Sequence, residues 1–179
     1  MTNYHLLGQK GKLFSIEQHR AVNHLYDGYL PYEFHLALVN RTAADFMPVL
    51  NVDDALADTI LDASWGHDLM EDTRATYNDV KKVLGVTAAD IIYAVTNEKG
   101  KTRKERANDK YYQGIKDTPY AVYVKLCDRI GNVTYGRTFG GGMYTMYQRE
   151  QDHFEKSLAG EQLDALRPVL VHLRSLLRG

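Results

Sequence analysis

His67-Asp68-Leu69-Met70-Glu71-Asp72-Thr73 is the stretch on which the reading of this chain turns. It follows directly on an apolar segment, Val52 to Trp65, whose opening acids Asp53 and Asp54 suit a helix N-terminus. An adjacent His and Asp at a helix end can both reach one cation, supplying a nitrogen and an oxygen ligand. Such a mixed set suits borderline divalent metals such as manganese, iron or zinc. Glu71 lies three residues beyond Asp68 and Asp72 four, so both share its side if the segment coils helically.

Outward from this stretch the pattern is helical almost throughout. Apolar or small residues at Ile16, Ala21, Val22 and Leu25 mark one face of a helix over Phe14 to Tyr26. Gly28 and Pro31 interrupt it, and a second helix is expected from Tyr32 to about Phe46. Downstream, Thr76 and Asp79 form a capping arrangement that opens Tyr77 to Leu84, which Gly85 stops. Thr87 is expected to cap a helix to about Val95, and Lys104 to Ile115 reads as one charged surface helix. Pro119 opens the most apolar helix, and the Gly140-Gly141-Gly142 break precedes Met143 to Leu158. Glu161 to Leu177 closes the chain as an amphipathic helix. No pair of alternating strand patterns with a hairpin turn stands out, so the expected class is all-α. Residues 1–179 are expected to form one domain, with C-terminal helices over 143–177.

With 44% hydrophobic and 25% charged residues in 179, the chain has the composition of an ordinary globular protein. A formal net charge of −1 provides no global footprint for nucleic acid or an anionic membrane. Cys127, the single cysteine, excludes an intramolecular disulfide framework and any multi-cysteine zinc site. The start lacks a signal-like apolar stretch, and no run approaches the roughly 18 apolar residues of a membrane span. The expected location is the cytoplasm. Tyr111, Tyr112, Tyr144 and Tyr147, read as exposed aromatics, leave room for a homodimer.

Holding a metal firmly takes further ligands. His35 lies among Phe34, Leu36, Leu38 and Val39, and Asp128 lies within the apolar Val124 to Ile130. A carboxylate among core-facing residues is costly unless paired or bound to a metal. Each has an ordinary structural reading alone: a hydrogen-bonded core His, or an Asp paired with Lys125 or Arg129. Together His35, His67, Asp68 and Asp128 offer two nitrogens and two oxygens.

The order His35, then His67-Asp68, then Asp128 resembles the H…HD…D signature of HD-domain phosphohydrolases. The resemblance is closer still to the hydrolase domain of the Rel/SpoT proteins and their small stand-alone relatives. The matching stretches are Pro31-Tyr32-Glu33-Phe34-His35, His67 to Thr73, Ala94-Val95-Thr96, and Val124 to Asn132, in the family's order across roughly residues 20–135. This implies a helical HD-domain bundle of roughly eight to ten helices. It also implies hydrolysis of a nucleotide phosphate or pyrophosphate ester, with removal of the 3′-pyrophosphate of ppGpp as the best match. The alternatives are a nucleotidase or deoxynucleotide triphosphohydrolase, or a non-catalytic nucleotide-binding regulator.

The same resemblance makes His35, His67, Asp68 and Asp128 the ligands of one divalent metal. Manganese is the family's ion; iron, zinc, cobalt or nickel could serve. It makes Glu71 and Asp72 the groups that position and deprotonate water. Asn132, one helical turn after Asp128, would bind substrate, with Lys125, Tyr26 and Arg137 as further contacts. The family carries an Arg-Lys pair where Tyr26 and Asp27 stand, a Lys at Asn97 and a Thr at Tyr135. Lys99, Lys101, Arg103, Lys104 and Arg106, around Gly100, could replace the missing phosphate contacts. His5, His19, His24, His153 and His172 show no ligand spacing and read as structural or exposed.

Overall fold

The computed structural model of the chain describes residues 2–98, 100–140 and 142–178. A 3-10 turn precedes α1 (Gln9–Ala21), which leads into a small hairpin of β1 (Leu25–Tyr26) and β2 (Leu30–Pro31). Then follow α2 (Glu33–Phe46), α3 (Asp54–Gly66), the single turn α4 (Leu69–Asp72), α5 (Tyr77–Leu84) and α6 (Val86–Val95). After the lysine-rich loop come α7 (Arg103–Arg106), α8 (Asp109–Asp117), the long α9 (Ala121–Phe139), α10 (Gly142–Leu158), α11 (Glu161–Ala165) and α12 (Arg167–Leu177). Among the described residues nine of these helices have eight residues or more. The class is all-α, as expected.

Local chemistry explains most boundaries. Asp53 caps α3 by accepting from Leu56 N at 2.8 Å, and Thr76 with Asp79 forms the expected capping box of α5. Other expectations are corrected. The first helix begins at Gln9 and stops at Ala21. Helix α6 begins at Val86 behind Gly85, with no cap from Thr87. The charged helix is split because Asn108 caps a new helix, accepting from Tyr111 N at 3.0 Å. The closing helix is broken at Leu166, where Pro168 suits a new first turn. The hairpin was also missed: Asp27 and Gly28 both take positive φ, 52° and 78°. Paired positive φ is the signature of a type I′ turn, and Asp-Gly is among its favoured dipeptides.

Helix α9 is the axis of the core, with Val122, Tyr123, Leu126, Cys127, Ile130 and Val133 buried, and α2, α6, α10 and α12 pack against it. A Cβ on Gly131 would lie 3.1 Å from Val39 Cγ2, so α9 and α2 meet closely there. That contact sits one turn from both Asp128 and His35. Tyr111, Tyr112 and Tyr147 are buried rather than exposed, because they pack α8 and α10 onto this core; the basis for expecting a homodimer goes with them. No described helix is long and apolar enough to cross a membrane.

Helix α1 is drawn equally close to α3. A Cβ on Gly11 would collide with the Asp62 carbonyl oxygen, and Gly11 N–H donates to Asp62 Oδ1 at 2.7 Å. Burial pushes the Asp62 carboxyl up to about 6, with Asp58 adding to the rise and the Gly11 bond opposing it. A raised folded value means stability that is fully present below the ordinary value of 3.8 and is lost as pH rises through about 6. Asp62→Asn keeps an oxygen for Gly11. It is expected to stabilise the protein at pH 8 by about 2 kcal/mol and to change little at pH 4. Urea unfolding at the two pH values measures this; equal effects at both would refute the burial argument.

Candidate active site

The site forms where α3 stops. A Cβ on Gly66 would lie 2.7 Å from Ile92 Cδ1, so glycine lets the end of α3 press on α6. His67 continues in helical conformation and Asp68 departs from it, at φ −100° and ψ 3°. The two side chains therefore converge instead of projecting about 100° apart. His67 Nδ1 lies 2.9 Å from the Ser64 carbonyl, and a carbonyl only accepts, so Nδ1 carries the proton. Its Nε2 is left with a lone pair aimed inward. Ser64 is itself held by Asn40 of α2, whose amide donates to its hydroxyl at 2.8 Å.

His35, on α2, brings its Nε2 to 3.1 Å from that of His67. Asp68 Oδ2 lies 2.9 Å from His67 Nε2 and 3.5 Å from His35 Nε2. Asp128 Oδ1 lies 3.5 Å from His35 and 3.7 Å from His67. His35, His67 and Asp128 each offer a ligand atom within 4.8 Å of the others and could hold a metal ion. The donor chemistry fits: imidazole lone pairs and carboxylate oxygens point at one small, largely buried volume, which demands positive charge. Burial alone would lower His35, yet the Asp128 and Asp68 carboxylates outweigh it and lift it to about 9, so the proton held there without a cation would leave when one binds and free the lone pair.

Supporting groups surround this cluster. Tyr32, one turn before His35, donates its hydroxyl to Asp68 Oδ2 at 2.6 Å and reaches Asp72 Oδ2 at 3.3 Å. Sequence reasoning passed over Tyr32, although its spacing from His35 already placed it on the same face. Behind it stack His24 and His19, with ring centroids 3.8 and 4.4 Å from its own. Burial lowers His19 to about 4, so that layer is neutral at pH 7. Glu71 is gripped by Asn97, whose side-chain amide donates at 2.8 and 3.0 Å and whose backbone N–H donates at 3.2 Å. Asp72 opens onto the cleft. Partial burial, then the charges of Asp68 and Glu71, push its carboxyl up to about 7, the range suited to taking a proton at neutral pH.

The α9 residues line the other wall. Lys125 Nζ pairs with Asp128 Oδ2 at 2.9 Å, and the Asn132 amide donates to Asp128 Oδ1 at 2.6 Å. Tyr26 donates to Asn132 Oδ1 at 3.0 Å and lays its ring flat on His35, centroids 4.8 Å apart and planes 9° off parallel. Arg129, read from sequence as a partner of Asp128, lines the cleft but bonds to α10 instead. Its guanidinium sits over Phe154 at 4.2 Å and donates to Gln151 and the Tyr147 carbonyl, tying α9 to α10.

A cleft of about 220 Å³ joins these groups, and Arg103 and Arg106 reach it from α7. Lys101 does not, while Lys99 and the Lys104 side chain lie outside the described residues. Arg137 lines neither this cleft nor the adjoining one. Five residues beyond Asn132 is about 500° of helix, well off the face that Asn132 and Asp128 share.

No family model matches the sequence. The chain is 29% identical over 143 residues to a Danio rerio protein named guanosine-3′,5′-bis(diphosphate) 3′-pyrophosphohydrolase MESH1, covering 79% of this chain and 75% of that one. A Drosophila melanogaster protein of the same name is 30% identical over 86 residues, 48% of each chain. The chain is similar to these two hydrolases over the spans given. A solved structure described as "A metazoan ortholog of SpoT hydrolyzes ppGpp and plays a role in starvation responses" superposes with a TM-score of 0.67. It is 21% identical and covers 96% of this chain and 93% of its own. That likeness agrees with the all-α fold.

Proposed function

We propose that the protein is a metal-dependent phosphohydrolase that releases pyrophosphate from the 3′ position of guanosine-3′,5′-bis(diphosphate). The observation that carries this reading is the convergence of His35, His67, Asp68 and Asp128 on one point, with Glu71 and Asp72 in the same cleft. The names of the homologues support the choice of substrate.

In this reading the four residues hold one divalent cation, manganese by family resemblance. When bound, the cation would supply Lewis-acid activation of water and of a phosphoryl oxygen. Asp72 accepts the proton of the attacking water at a carboxylate oxygen, and Glu71, steadied by Asn97, orients that water. Tyr32 remains a donor, because burial and the charges of Asp68 and Asp72 push its hydroxyl far up. Asn132 and Tyr26 brace Asp128 and His35 from the substrate side. Lys125 neutralises Asp128, while Arg103 and Arg106 offer guanidinium groups to the phosphates.

Protein loaded with manganese, incubated with guanosine-3′,5′-bis(diphosphate), is expected to yield guanosine 5′-diphosphate and pyrophosphate, and chelation should abolish this. Release of phosphate or triphosphate from deoxynucleotides instead would move the assignment to another nucleotide hydrolase. Absence of any turnover would sink it.

A further inference from the structure

The cleft over the metal-ligand cluster opens into a second one of about 480 Å³, the two meeting at Tyr26, Asn132 and Tyr147. Their chemistry differs. The first carries Arg103, Arg106, Lys125 and Arg129. The second has no Lys or Arg among its described lining residues; its charged group is Asp27, and its walls include Tyr135, Phe139 and Met143. Phe139 is 63% exposed, so its ring is open to a ligand.

Asp27 is held in place. It occupies the first central position of the β1–β2 turn at φ 52°, and its Oδ2 accepts the Tyr135 hydroxyl at 2.7 Å. Tyr135 is itself 3.0 Å from the Tyr29 hydroxyl. A fixed carboxylate at the rim of an aromatic cleft repels a phosphate and matches a flat ring presenting N–H donors. Guanine has two adjacent donors on its Watson–Crick edge, N1–H and the 2-amino group, which together satisfy both carboxylate oxygens. Adenine sets a ring-nitrogen lone pair beside its amino group, and that lone pair would face the carboxylate.

We propose that Asp27 is the base-reading residue of this site, accepting from N1–H and the 2-amino group of a guanine seated in the Tyr135–Phe139 cleft. The phosphates are then drawn toward Arg103 and Arg106. This inference rests on the proposed nucleotide hydrolase activity. It makes the carboxylate of this chain perform a recognition that needs no cation at position 27.

The test compares the wild type with Asp27→Asn, which suits a left-handed backbone position and keeps an oxygen for Tyr135. Guanosine, adenosine and xanthosine 3′,5′-bis(diphosphates) are compared by kcat/KM. They are compared in parallel by calorimetric binding in an Asp72→Asn background, so that selectivity is read whether or not the nucleotide is cleaved. The wild type is expected to prefer guanosine over adenosine by about tenfold to a hundredfold, the usual discrimination of one bidentate pair. In Asp27→Asn that preference collapses. Xanthosine, which sets a carbonyl beside N1–H and so pairs with an amide, gains about tenfold relative to guanosine. An unchanged ratio in the variant, or a wild type indifferent to the base, overturns the proposal. Hydrolysis without base selectivity refutes the role of Asp27 alone; guanine-selective binding without hydrolysis refutes the activity and leaves that role standing.

Discussion

Asp72→Asn is expected to lower kcat by at least about a hundredfold while metal binding stays within about threefold, the span of a group that takes a proton without being a ligand. Asp72 is built for proton transfer. Partial burial, with the charges of Asp68 and Glu71 adding to it, pushes its carboxyl up to about 7. The Tyr32 hydroxyl also reaches one of its oxygens. An amide of the same shape keeps the contact but cannot accept a proton. The wild-type kcat should therefore rise with pH through about 7, or somewhat lower once a bound cation draws the value down. The residual activity of Asp72→Asn should lack that limb. A variant within about threefold of wild type, with the limb intact, would assign the proton to Glu71 instead.

The second large effect is expected at Asp128, where structure and chemistry share one side chain. Its carboxylate faces His35 and His67, pairs with Lys125 and accepts from Asn132. Asp128→Asn removes a ligand charge and sets an amide against two donors. Metal affinity should fall by about a hundredfold or more, since even outer partners of metal ligands are worth 10–100-fold. Turnover should fall with it. Stability should drop by about 3 kcal/mol, because the variant leaves the Lys125 ammonium without its partner in a largely buried position. Pairing it with Lys125→Met separates the two roles: the double variant should recover most of the stability and none of the metal affinity. Recovery of metal binding in the double variant would remove Asp128 from the ligand set.

Residues that announce themselves by type and spacing were legible before any fold was available. His67-Asp68, the acids at Glu71 and Asp72, and the apolar setting of His35 and Asp128 needed only their neighbours in sequence. Helices α2, α3 and α5 were readable for the same reason, since caps and 3.6-residue periodicity are local. Breaks inside charged or mixed stretches were not. Asn108 and Pro168 divide segments whose average pattern still looks helical. The Asp27-Gly28 turn did carry a local signal, overlooked because its flanking strands are only two residues long.

Arg137 and Arg129 mark a different boundary. Helical phase alone removes Arg137 from the face shared by Asp128 and Asn132. Arg129 stands beside Asp128 in sequence yet serves α10, a partner that only packing reveals.

The sequence by itself determined the all-helical class, because capping and periodicity act over a few neighbouring positions; the donor set of the candidate metal centre came from the resemblance of its motifs to the HD-domain hydrolases. The tertiary structure decided which side chains meet across the chain. It set Tyr26 on His35, Tyr32 between Asp68 and Asp72, Asn97 on Glu71, and Asp27 beside Tyr135. Those encounters depend on glycine-permitted approaches of α9 to α2 and of α3 to α6. Such distances follow from how whole helices pack, which no local stretch of sequence encodes.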